Sequence, residues 1–174
     1  MKKLVLIALA GVMTIGVFAL QAQTPKDFLT EAKGYYDGTK NNITRAADRM
    51  PESDYSFKPT PLIRSYGESI GHIADIQMLI CSTVTGSGKK SDSSKVTSKA
   101  ELAANLKASF DECDKAFASV TEANAAEVIG QGFFRRTRLS LLQFNTMHNN
   151  EMYGTIAVYL RLKGLVPPSS DPKK

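Results

Sequence analysis

Two histidines, His72 and His148, are the only imidazoles in a chain of 174 residues. Both fall in stretches whose apolar residues recur at helical spacing. His72 lies in SYGESIGHIADIQ, and His148 in TRLSLLQFNTMHNNEMYGTIAVYLRLKG, residues 137–164. Imidazole is a common ligand for zinc, iron, copper and nickel, and residues four apart on a helix project to one side. Two facing helices could bring both ring nitrogens to one ion, although a usable site normally needs a third ligand. Along residues 137–164, Leu141, Asn145, His148, Met152, Thr155 and Tyr159 share a stripe at steps of three and four. That stripe is more polar than a packed seam requires, and an unpaired buried polar group costs about 1–3 kcal/mol. A partner histidine, a water cluster or a metal would each satisfy it. By residue type alone, two isolated histidines are more often structural than ligating.

Four helical segments have to position these groups. The first opens at Thr24-Pro25-Lys26-Asp27, with Thr24 as cap, and presents Phe28, Ala32, Tyr35, Ile43, Ala46 and Met50 before Pro51 stops it. Pro59 and Pro61 keep the next connection non-helical, and Ser65 with Glu68 forms an S-x-x-E capping box that starts the second helix. Its faces are Ile70, Ile73, Gln77, Ile80 and Cys81, with His72, Ile76 and Leu79 on an adjoining stripe. Residues 86–97, GSGKKSDSSKVT, read as a mobile loop, spanning roughly 40 Å at ~3.3 Å per residue, long enough for a crossover. Ser98 and Glu101 open the third helix, striped by Leu102, Leu106, Phe110, Cys113 and Phe117. Thr137 caps the fourth, which Gly164 and Pro167-Pro168 end. FFRRTR ahead of it reads as a turn or short extended piece. Four amphipathic helices without a convincing strand predict an all-α four-helix bundle.

Residues 1–22 stand apart. Lys2 and Lys3 precede an apolar run from Leu4 to Leu20, with Ala22 at the expected cut, which is the layout of a secretory signal. Its removal leaves residues 23–174 as one domain and, with two lysines gone, lowers the formal net charge from +5 to +3. The expected destination is the bacterial periplasm, with no stable membrane span after removal of the signal. Arg135, Arg136 and Arg138 read as a solvated face, so no nucleic-acid partner is expected. Export permits a disulfide between Cys81 and Cys113. An antiparallel hairpin of the second and third helices would offset the two by ~15 Å or more. A parallel crossover would reduce the offset to well under ~10 Å. The reading taken is two buried free thiols.

The segments DYSFKPTPLIRSYGESIGHIADIQ and HNNEMYGTIAVYLRLKGLVPPSS resemble the DinB-like (DinB/YfiT-type) family of four-helix bundles, and the likeness runs in order over nearly all of residues 23–174. It implies an up-down-down-up bundle that uses residues 86–97 as the crossover between the second and third helices. It also implies a metal, zinc or nickel, held by one histidine of the second helix and two histidines four apart in the last. His72 and His148 match the first two positions. The third falls on Met152, where the sequence reads His148-Asn149-Asn150-Glu151-Met152. A thioether suits copper(I) better than zinc or nickel. Glu151 points about 100° around the helix from Met152.

The reading that follows is an exported bundle with an incomplete histidine-based metal site, binding a small molecule or a partner of unknown specificity. A divalent ion, zinc or nickel, is the expected cofactor, and no cofactor at all is the other outcome. The alternative is a metal-dependent enzyme, such as a thiol S-transferase-like activity using His72 and His148. A third reading is copper(I) or haem handling by His148 and Met152. The oligomeric state stays open, a homodimer being the commonest outcome for small soluble oligomers.

Overall fold

The computed structural model describes residues 25–172. The expected signal segment and the Thr24 cap lie outside the described residues. Four helices carry the fold: α1 Pro25–Arg49, α2 Tyr66–Thr85, α3 Lys99–Ser119 and α4 Arg138–Leu162. Their directions follow from the side chains that meet. Tyr36 Oη donates to Asp114 at 2.8 Å, and Lys99 Nζ donates to the Asp48 carbonyl at 2.8 Å, so α1 and α3 are antiparallel. Gln77 meets Ser109 at 2.9 Å and Thr85 meets Glu112 at 2.6 Å, so α2 and α3 are parallel. Tyr159 reaches the Arg64 carbonyl at one end and Arg138 the Val84 carbonyl at the other, so α4 runs against α2. The result is an up-down-down-up, all-α bundle.

Local signals set the helix boundaries. Ser65 Oγ accepts from the Glu68 amide at 3.1 Å while Glu68 accepts from the Ser65 amide at 2.6 Å, completing the capping box. Ser98 and Thr137 accept from Glu101 and Ser140 in the same way. The apolar stripes expected for α2 and α3 are buried, with Ile70, Ile73, Leu102 and Cys113 fully so, except that Leu79 on the adjoining stripe of α2 is exposed. Each such side chain withdrawn from water contributes roughly 1.5–3 kcal/mol. Helix α1 differs from expectation. Toward its start Tyr35 and Phe28 are exposed and Tyr36 and Thr39 turn inward instead, whereas Ile43, Ala46 and Met50 are buried as expected, with Ala47 beside them. Tyr36 has the partners that decide it, stacking on Phe117 at 4.5 Å and bonding to Asp114, which Tyr35 one position earlier could not reach.

The free-thiol expectation is overturned: Cys81 and Cys113 form a disulfide, with Cα atoms 4.9 Å apart. The parallel course of α2 and α3 removes the offset that an antiparallel hairpin would have imposed. The crossover is not the loose loop that its composition suggested either. Ser93 is fully buried, and the amides of Ser93 and Ser94 donate to Asp75 at 2.6 and 2.9 Å. Gly71 makes this possible, since a Cβ there would lie 2.5 Å from the Ser93 carbonyl oxygen. At the loop's start Glu112, 2% exposed, accepts from Thr85, Ser87 and Lys89 at 2.6–2.7 Å. Ser, Gly and Lys content misleads here because two carboxylates on the helices supply the partners.

Ahead of α4 the chain makes a small hairpin. Two short antiparallel strands, β1 Val128–Ile129 and β2 Arg136–Thr137, pair with Val128 opposite Thr137. Phe133, Phe134 and Phe144 meet edge to face beside it, with Arg136 stacked over Phe133 and Phe144. After α4 the chain folds back so that Asp171 pairs with Arg49, and Ser169 bonds to Tyr153. Among the described residues no helix is long and apolar enough to cross a membrane.

Candidate functional site

Helices α2 and α4 bring the two histidines together. His72 stands beside the fully buried Ile70 and Ile73 on α2, and His148 faces it from α4 because the two helices are antiparallel. Their Nε2 atoms lie 3.2 Å apart, with ring centroids 5.2 Å apart at an interplanar angle of 65°. Both rings are half-buried. Burial is the main force holding the pKa of each below the usual imidazole value. For His72 the charges of Arg64 and His148 add to this while Asp75 opposes it. For His148 the Asn149 contact and the charge of Glu151 oppose the shift, while that of Arg64 adds to it. Burial thus favours the neutral form of both rings, in which one can donate to the other.

A chain of buried polar groups decides which ring donates. Ser109 Oγ donates to the Leu106 carbonyl at 2.8 Å, so it accepts from Gln77 Nε2 at 2.9 Å. That turns Gln77 Oε1 toward Asn149, whose Nδ2 donates to it at 2.5 Å. Asn149 Oδ1 is then the atom facing His148 Nδ1, at 3.3 Å. An amide oxygen only accepts, so His148 carries its proton on Nδ1 and presents a lone pair at Nε2. His72 in turn donates from Nε2. Ser109, Gln77 and Asn149 are 0–1% exposed, so none can exchange its partner for solvent. One turn earlier on α4, Asn145 is fully buried, with its amide 3.6 Å from Cys113 Sγ and its Oδ1 unpartnered.

The third expected position, Met152, is 9% exposed and does not join the pair in any polar contact. It lines a cavity of about 810 Å³ between the 58–64 connection, the start of α2 and the middle of α4. Glu151, Thr155 and Tyr159 line the same side. The histidines lie one turn beyond: Ser69, also lining the cavity, precedes His72 by three residues, and Met152 follows His148 by four. Thr155 is exposed and bonds to the Glu151 carbonyl, while Tyr159 donates to the Arg64 carbonyl. The polar stripe of α4 is thus satisfied piecemeal, by a histidine, an amide and backbone carbonyls, except at the buried Asn145, whose Oδ1 has no partner.

The donor set can be weighed against an ion directly. Two nitrogens at ~2.0–2.1 Å from one tetrahedral ion lie roughly 3.3 Å apart. The observed 3.2 Å matches that separation and is equally a hydrogen-bond distance. Among the described residues no group of three or more His, Cys, Asp or Glu side chains converges. Two imidazoles, one pre-set in the ligating tautomer by Asn149, fit a labile ion whose remaining positions are open. They do not make a closed structural site. Gln77, Ser109 and Asn149 escaped sequence reading as site residues. Their only signal is polar side chains at positions facing the core.

A family model described as the DinB superfamily matches residues 35–156. A DinB-like protein from Bacillus cereus has a similar structure, with a TM-score of 0.67 at 16% identity over 82% of this chain and 95% of that one. A DinB-like protein from Bacillus subtilis gives a TM-score of 0.64 at 20% identity over 77% and 92%. A conserved protein from Enterococcus faecalis gives 0.60 at 20% identity over 80% and 96%. No curated protein matches the sequence.

Proposed function

The chain belongs to the DinB superfamily, and from that premise we propose that it is an exported binding module. It takes a small molecule in the cleft beside His72 and His148, with a labile divalent ion, zinc or nickel, held by those two rings. The observation that carries the reading is the convergence of the two Nε2 atoms at 3.2 Å, with His148 oriented by a buried hydrogen-bonded chain. Ring order of that kind is what a ligating histidine requires of its surroundings. An ion there would supply Lewis acidity, lowering the pKa of a bound water or thiol, which is also what the enzymatic alternative would use. Met152 in place of a third nitrogen donor favours binding over turnover, because a neutral thioether holds zinc and nickel weakly. Export is supported by the Lys-then-apolar leader and by the Cys81–Cys113 disulfide, which belongs to an oxidising compartment.

The test is metal content and affinity of residues 23–174 purified without a histidine tag, alongside His72→Ala and His148→Ala. Zinc or nickel bound by the parent and lost in both variants supports the reading. Absence of binding above background after supplementation refutes the metal part of it. Met152→His supplies the third imidazole and is expected to raise zinc or nickel affinity at least ~tenfold, in line with the weight that one ligand or its support carries in such sites.

A further inference from the structure

Four charged side chains line the cleft: Lys58, Arg64, Glu68 and Glu151. Lys58 and Glu68 pair with each other at 2.9 Å, and Glu68 is also committed to the Ser65 amide in the α2 cap. Arg64 differs. Among the described residues its guanidinium has neither an ion pair nor a hydrogen bond, and only its backbone carbonyl is engaged, accepting from Tyr159 Oη at 2.8 Å. That bond fixes the Arg64 backbone to α4 while leaving the charged fork free. The two residues before it on the same connection, Leu62 and Ile63, also line the cleft and are 95% and 42% exposed. A single exposed leucine needs no explanation. A leucine and an isoleucine side by side, next to an uncommitted guanidinium in a cavity of about 810 Å³, form an apolar wall with one cationic end.

Resting on the cleft being a small-molecule site, we propose that Arg64 is its anion-recognising residue. It takes the carboxylate of a ligand whose apolar body lies along Leu62 and Ile63. The guanidinium fork matches a carboxylate bidentately, which a lysine would not. Glu151, which also lines the cleft without an ion pair among the described residues, disfavours a doubly charged group such as a phosphate monoester and so narrows the choice to a monoanion.

The experiment uses residues 23–174 freed of metal by chelation, so that a preference for an acid cannot come from an ion. The probes are 4-phenylbutyrate and its amide, 4-phenylbutyramide, titrated by NMR against the histidine ring signals and those of Tyr159. The acid is expected to bind at least ~fivefold more tightly than the amide, as a charge-assisted contact allows. Arg64→Gln removes the preference, Arg64→Lys keeps part of it, and Lys58→Gln keeps most of it, because Lys58 is already neutralised by Glu68. Equal affinity for acid and amide overturns the proposal, as does a preference that survives Arg64→Gln, or no perturbation by either compound. The metal reading is judged separately by zinc affinity in His72→Ala and His148→Ala. Loss of that reading with a retained acid preference leaves Arg64 standing, and the converse result leaves the histidines standing.

Discussion

Replacing Asn149 with alanine interrupts the buried chain at its centre, and the cost can be built from what each neighbour loses. Gln77 Oε1, on a fully buried residue, loses the donor that reached it at 2.5 Å. An orphaned buried acceptor costs about 1–3 kcal/mol. His148 Nδ1 loses an acceptor at 3.3 Å, but its ring is only half-buried and can turn to water, which adds roughly 0.5 kcal/mol at the low end of a net hydrogen bond. Asn149→Ala is therefore expected to destabilise by about 1.5–3.5 kcal/mol. Gln77→Leu leaves the Asn149 amide without its acceptor, but Ser109 keeps its bond to the Leu106 carbonyl, so about 1–2 kcal/mol follows. With both polar groups gone neither orphan remains. The double variant should thus be less damaged than the sum of the singles, by about 1–2 kcal/mol. Urea unfolding at neutral pH measures this, a change of 2 kcal/mol moving the midpoint by roughly 1 M. Nitrogen-15 spectra of the histidine rings give the second readout. The parent protein should show the Nδ1–H tautomer for His148 and the Nε2–H tautomer for His72, and Asn149→Ala should release His148 from that preference. A parent His148 protonated on Nε2, or a double variant additive within ~0.5 kcal/mol, would refute the polar-chain reasoning.

Four further outcomes follow from the packing. Cys81→Ala with Cys113→Ala opens a loop of 32 residues' separation, and the chain-entropy relation predicts a loss of about 4 kcal/mol; a loss under ~1 kcal/mol in calorimetry or urea melts would count against the staple. Bonds from Lys89, Thr85 and Ser87 hold Glu112 at a pKa of about 2, below its usual 4.5. Because the folded value is depressed, this stability is present above pH 4.5 and is lost as pH falls toward 2. The gap between the parent and Glu112→Gln, up to ~3 kcal/mol at neutral pH, should close across that window in pH-dependent urea melts. Gly71→Ala gains ~1 kcal/mol of helix propensity but drives a Cβ against Ser93 and Ser94 backbone atoms at 2.5–2.8 Å. Displacing the crossover also breaks two charge-assisted bonds to Asp75, so a net loss of ~2 kcal/mol or more is expected, with faster hydrogen exchange at the Ser93 and Ser94 amides. Gly34→Ala, with nothing within 4 Å of its Cβ position, should be stabilising in the same assay.

Much of the bundle was legible in the sequence because its signals are local. The Ser65–Glu68 box, the Thr137 cap and the apolar periods of α2 and α3 involve residues three or four apart, and a helix brings such residues together wherever it stands. The two histidines could be nominated for the same reason, as polar residues on inward stripes. Helix α1 shows where this weakens. Tyr35 and Tyr36 are adjacent and chemically alike, and only the presence of Asp114 and Phe117 on α3 selects which turns inward.

Tertiary structure decided everything that depends on the relative direction of helices. Whether Cys81 meets Cys113 turns on α2 and α3 being parallel, and composition carries no trace of that. Whether a Ser-, Gly- and Lys-rich crossover is ordered turns on Asp75 and Glu112, which lie on helices on either side of it. The site follows the same rule. His72 and His148 are 76 residues apart in sequence, and Gln77 and Asn149 72 apart. Sequence placed each of these side chains on a helix face. The antiparallel packing of α2 on α4 set the two Nε2 atoms 3.2 Å apart and handed His148 its proton position through Asn149.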